Sequence, residues 1–199
     1  MAATFQSMFA TIERHRARAL AEHVDYGTIR PATPPPGLHV ERGLEPQARL
    51  LGGLARRHPE IAAIFAHGLV TSLIHSPYPK DPHDPWVAAY DPREHCIVVQ
   101  HPQHCTATTL VHELGHAAQS YFAATGIDLT RPEWHADQPA ASLYGSGANA
   151  QEKWAEAWTA SLSSQEQAFR RHAPQQAAAV AKVRAHLRGP AARGRRRGR

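Results

Sequence analysis

Apolar residues recur at roughly helical spacing through residues 4–25, where Phe5, Met8, Phe9, Ile12, Leu20 and Val24 are separated by Arg14, Arg16 and Arg18. That period predicts an amphipathic helix ending near Gly27. From Pro31 to Gly43 the pattern fails, because Pro34, Pro35 and Pro36 lack amide hydrogens and favour an extended conformation. This stretch is predicted to be a linker or a strap across the surface. Helical periodicity returns from Glu45 in PQARLLGGLARRH, and PEIAAIFAHG opens another helix with Pro59 at its tolerated first position. LVTSLIH (69–75) is β-prone, and after the proline loop SPYPKDPHDP two further strands are predicted, WVAAY (86–90) and HCIVVQH (95–101), around the turn DPRE. Thr106 can cap a long helix over 107–125, ended near Gly126. Beyond the loop RPEWHADQP, helix is predicted for 148–171, and an alanine-rich helix from Pro174 toward Leu187. Helices with a small sheet make this an α+β fold.

Composition changes that picture at the ends. The chain of 199 residues suits a single core with attachments, divided as 1–43 (helix and proline-rich linker), 44–188 (the domain) and 189–199 (a tail). Its charge of +5 is unevenly placed: residues 184–199 hold seven arginines and no acid, which leaves −2 on the other 183. GPAARGRRRGR cannot bury enough apolar surface to offset its chain entropy, so the tail is expected to be disordered, with weak contact to nucleic acid or another polyanion as its candidate role. No apolar run nears the roughly 18 residues of a membrane span, and Glu13, Arg14 and Arg16 stand where a Sec signal peptide needs an apolar stretch. A cytoplasmic protein is expected. Two cysteines, Cys96 and Cys105, are too few for a disulfide framework and are read as reduced thiols.

The chemistry is concentrated in TTLVHELGHAAQSY, residues 108–121. His112, Glu113 and His116 form an HExxH pattern. On a helix, residues four apart differ by about 40° in direction, so both imidazoles face one way and can grip one Zn²⁺. Glu113 lies beside them, where its carboxylate can take a proton from water. With 15 histidines in the chain, chance predicts roughly 0.06 such matches before a helical context is required. Leu110, Val111 and Leu114 supply an apolar stripe to bury the helix, and Gly115 lets a neighbouring backbone approach.

A catalytic zinc needs a third protein ligand. The metzincin continuation HExxHxxGxxH is absent, because Gln119 and Phe122 occupy its glycine and histidine positions. The best candidate lies in SLYGSGANAQEKWAEAW, where Glu152 and Glu156 are four residues apart on one helical face. Glu152 can reach the metal, and Glu156 can accept the remaining N–H of a ligand histidine. Trp154 and Trp158 imply that one side of the same helix is buried. Cys96, His101, His104 and Cys105 match no strong metal spacing, so no second zinc is expected there. The strand HCIVVQ, if it lies at the sheet edge, would let an extended peptide add beside it, over the zinc.

These residues resemble the gluzincin metallopeptidases, and within them the catalytic domain of anthrax lethal factor and related bacterial proteins. HELGHA (112–117), LYG (143–145) and EKWAEA (152–157) occur in the order that group shows, over roughly residues 86–160. The resemblance implies a zincin-like domain, mostly helical, with a small twisted sheet next to the active-site helix. It implies zinc on His112, His116 and Glu152, Glu113 as general base and proton shuttle, Tyr144 as donor to the developing oxyanion, and Glu156 supporting a ligand. His135 is the competing oxyanion donor. The expected activity is zinc-dependent hydrolysis of protein or peptide substrates. Two alternatives stand beside it: an intracellular regulatory or DNA-associated zincin of the ImmA/IrrE or SprT-like type, and a non-catalytic zinc-stabilised binding module.

The tail and the domain should be separable. Removing residues 189–199 is expected to leave the melting temperature and small-peptide cleavage unchanged, while abolishing any polyanion binding that weakens steeply with salt. Unfolding of the truncated protein would show that the arginines dock on the domain.

Overall fold

The computed structural model describes residues 29–77, 86–135, 138 and 149–189. The predicted helix over residues 4–25 and the tail from 190 onward lie outside them. Four short strands form one mixed sheet, β1 (His39–Val40), β2 (Ser72–His75), β3 (Ala88–Asp91) and β4 (Cys96–Val99), in the order β1-β2-β4-β3. Seven helices accompany it among the described residues: α1 (Glu45–Arg57), α2 (Pro59–Ala66), α3 (Ala107–Ala118), the single turn α4 (Phe122–Thr125), α5 (Ala150–Ser161), α6 (Glu166–His172) and α7 (Pro174–Leu187). The α+β class is as expected, and no helix among the described residues is long and apolar enough to cross a membrane.

β1, β2 and β4 run parallel, with Leu73 opposite both Val40 and Ile97, and β3 returns antiparallel, pairing Tyr90 with Ile97. The expected hairpin of 86–90 with 95–101 is therefore present, but its second strand is not an edge. β4 lies between β2 and β3, and β3 takes the edge. The reason is visible in the residues: Cys-Ile-Val-Val is apolar throughout and largely buried, as a strand covered on both sides requires, whereas Ala88–Asp91 is mixed.

The segment read as a linker or strap is a strap, and it begins the sheet with β1. Gly52 and Gly53 sit in the middle of α1, where glycine costs up to about 1 kcal/mol relative to alanine. The strap explains them. A Cβ on Gly52 would meet the Thr33 carbonyl, and one on Gly53 the Arg30 carbonyl, both inside contact distance. Ala32 N–H also donates to the Arg49 carbonyl at 3.0 Å.

Two helices are shorter than their periodicity predicts. The stretch 107–125 breaks into a 3-10 turn at Gln119–Tyr121 before α4, and ends as expected at Gly126, whose φ is 68°. The stretch 148–171 breaks after Ser161, where the Ser161 and Ser163 hydroxyls donate back to the carbonyls of Trp158 and Ala160 at 2.7 and 2.8 Å, competing with helix continuation. Two arginines counted with the basic tail belong to the fold. Arg184 donates to buried Glu60 at 2.6 Å, to the Ser161 carbonyl and to Glu166, and Arg188 lies 3.6 Å from Glu60.

The strap's anchorage is open to test. Gly52→Val should destabilise the protein by about 1–3 kcal/mol through overpacking and raise hydrogen exchange in residues 29–36, whereas Ala55→Val, one turn along the same helix, should leave that exchange unchanged. Unaltered exchange in Gly52→Val would show that the strap is held elsewhere.

Candidate metal centre

α3 begins at Thr106, whose side chain and Thr109 cap each other's backbone N–H groups at 3.4 Å. α5 begins at Asn149, whose Oδ1 accepts the N–H groups of Gln151 and Glu152 at 3.0 Å. That cap fixes the first turn of α5, and with it Glu152. The two helices meet at Gly115: its carbonyl accepts the Trp154 indole N–H at 2.8 Å, and a Cβ there would stand 3.1 Å from Ala155 Cα.

This contact brings the predicted residues together. His112, His116 and Glu152 place one ligand atom each within 4.8 Å of one another, a group that could hold a metal ion. Nε2 of His112 is 3.1 Å from Glu152 Oε2 and 3.3 Å from Nε2 of His116, which is 3.7 Å from Glu152 Oε1. Behind the triad, His112 Nδ1 lies 2.9 Å from Glu156 Oε1. Side-chain exposure rises from 1 % at Glu156 through 9 % at His112 to 26 % at Glu152, so the group is sealed at its back and open at its front.

The electrostatics favour a cation. Burial disfavours the charged ring of His112, yet hydrogen bonds to Glu152 and Glu156 and the nearby Glu113 charge outweigh it and hold its pKa up at about 10. His116 moves the other way, through burial and then the charge on His112. One proton on His112 thus stands among three carboxylates.

Glu113 is buried and its Oε2 accepts the Tyr90 N–H at 2.8 Å, so the carboxylate reaches from α3 to the edge strand β3. The Tyr90 hydroxyl in turn donates to the Leu69 carbonyl at 2.9 Å. Tyr144 lies outside the described residues. His135 is exposed, with Nε2 3.1 Å from the Thr130 carbonyl, and is not part of the triad. Cys96 and Cys105 are free and buried; burial pushes both thiols up, Cys105 to about 12 with the Glu113 charge assisting, so both stay protonated.

Sequence reasoning missed three contributors. The Gln119 side chain contacts Nδ1 of His116 at 3.2 Å. Trp134, in the loop before α5, is buried with its ring centroid 5.8 Å from that of Trp154. Buried Lys153 donates to the carbonyls of His135 and Gln138, tying that loop to the ligand helix. A lysine between a candidate ligand and a core tryptophan was the available signal, since helical spacing already turned it inward.

Compared with known proteins, the chain matches no family model, no curated protein and no solved structure.

Calorimetric titration of the metal-free protein with divalent transition-metal ions at pH 8 should give one ion per chain and release about one proton, because the ion must displace the proton held by His112. The sign follows: raising the pH toward 10 removes the competing proton and tightens binding, and lowering it weakens binding. Glu152→Ala should lose most of the affinity. Heats independent of buffer ionisation, or full metal retention in Glu152→Ala, would contradict this ligand set.

Proposed function

We propose that this protein is a zinc-dependent peptide hydrolase of the gluzincin type. The observation that carries the reading is the spacing of the triad. Tetrahedral zinc with bonds of about 2.0–2.1 Å needs ligand atoms about 3.3 Å apart; here the two imidazole Nε2 atoms lie 3.3 Å apart, and the Glu152 carboxylate turns Oε2 to His112 at 3.1 Å and Oε1 to His116 at 3.7 Å. Two imidazoles and a carboxylate leave a fourth position for water or substrate, on the exposed side of the triad. The sealed back, with Glu156 on the second nitrogen of His112, is what a zinc-ligating histidine requires.

Zinc bound there would supply Lewis-acid chemistry, acidifying a water and polarising a carbonyl. Glu113 takes the proton of the attacking water and returns it to the leaving amine. Its Oε2 accepts the Tyr90 N–H, which holds the carboxylate in place between α3 and β3. β3 presents alternate main-chain groups away from β4; Glu113 takes the Tyr90 N–H among them, and an extended peptide can add as a further strand along the others. β3 replaces HCIVVQ in that role. Tyr144 is proposed as oxyanion donor on the sequence resemblance alone.

The test is a peptide-library cleavage assay on the zinc-loaded protein. Glu113→Gln should keep zinc and melting temperature but lose at least about 10²-fold in kcat, since an amide cannot accept the proton; Tyr144→Phe should lose less, with metal content unchanged. A parent that binds zinc yet cleaves nothing, with Glu113→Gln fully active in the cell, would make the protein a zinc-stabilised binding module instead.

A further inference from the structure

His116 is held from behind by a neutral group. The carboxamide of Gln119 lies against its Nδ1, with the amide nitrogen placed 3.2 Å away and the oxygen brought there by turning the carboxamide over, while the His116 Nε2 points into the triad, 3.3 Å from Nε2 of His112. Gln119 ends α3: its backbone N–H bonds to the carbonyls of His116 and Ala117, and it opens the 3-10 turn Gln119–Tyr121. Both side chains are half-buried, which shelters the contact from water.

A ring that gives its Nε2 lone pair to a metal carries its hydrogen on Nδ1, and that hydrogen needs an acceptor. The Gln119 carboxamide offers an oxygen or a nitrogen to Nδ1 by half a turn about its last side-chain bond. We propose that Gln119 is a positioning residue for His116: its carboxamide oxygen accepts the Nδ1–H, fixes that tautomer and keeps Nε2 aimed at the metal. The proposal rests on reading the triad as a metal site.

The two imidazoles are thereby unequal. His112 is backed by the buried carboxylate Glu156 at 2.9 Å, and His116 by an amide. A carboxylate makes its imidazole the stronger donor, so the site combines one strong and one moderate nitrogen ligand. With Glu152 on α5 as the third member of the triad, position 119, where an HExxHxxG chain has glycine, carries a side chain that can support His116.

Zinc affinity is measured by chelator competition on full-length parent, Gln119→Leu and Gln119→Glu, with melting temperatures of the metal-free proteins as the control for folding. Gln119→Leu should bind zinc about 10–100-fold more weakly, and Gln119→Glu at least as tightly as the parent. Nitrogen-15 histidine spectra of the zinc-loaded parent should show His116 with hydrogen on Nδ1. Parent affinity in a folded Gln119→Leu variant, or hydrogen on Nε2 of His116 in the zinc-loaded parent, would overturn the proposal while leaving the metal site standing. A parent that takes up no zinc would overturn both.

Discussion

The candidate site exists because α3 and α5 touch at Gly115. With no side chain there, Ala155 and Trp158 come within about a van der Waals contact of the α3 backbone, and the Trp154 indole bonds to the Gly115 carbonyl. α5 contributes the bulk, in Trp154 and Trp158, and α3 the gap. The close approach sets how far Glu152 and Glu156 stand from His112 and His116. A side chain at residue 115 would push α5 outward and open the triad, so the packing of two helices and the ligand distances are one constraint. The aromatic cluster extends it: Phe122 and Trp134 pack on Trp154 with centroids 4.6 and 5.8 Å away, which fixes α5 from both flanks.

Charge is handled in two ways in the same core. Glu60 is buried, and Arg184 in α7 and Arg188 just after it neutralise it, a closed arrangement that ties α2 to α7. Glu113, Glu152 and Glu156 are gathered with an imidazolium as their neutralising partner. Buried carboxylates are costly unless paired, and a proton on His112 is a partner that a metal ion can displace. The first cluster holds helices together; the second is held ready by the fold around it, with Glu156 at its sealed end and Glu152 at its open end.

The sheet is joined to this site through Glu113. Its bond to Tyr90 N–H spans α3 and the edge strand, so the residue proposed as base and the strand proposed to align a peptide are set against each other by one hydrogen bond. Tyr90 is itself anchored by its hydroxyl on the Leu69 carbonyl at the approach to β2. The register of β3 on β4, with Tyr90 opposite Ile97, aims that N–H toward the helix; a slip of one residue would turn it toward β4 instead.

What the amino-acid sequence determined by itself was local. The HExxH spacing on a helix, the Thr106 cap, the proline at the start of α2, the paired strands around DPRE and the buried tryptophan face of α5 are set by periods of a few residues and by side chains acting on their own backbone. Those rules also placed Glu152 and Glu156 on one face. The tertiary structure decided which distant element each face would meet. It placed β4 inside the sheet and β3 at the edge, because parallel pairing with β2 is a non-local choice that CIVV permits without specifying. It broke two long helical periods, one at the 3-10 turn Gln119–Tyr121 and one after Ser161, where serine hydroxyls bonded to backbone carbonyls compete with the helix. It drew Arg184 out of an apparently basic tail to pair with Glu60, 124 residues away. Gln119 was legible only as a departure from a longer motif; its contact with His116 depends on where the chain turns after α3, and a helical period carries no record of such a turn.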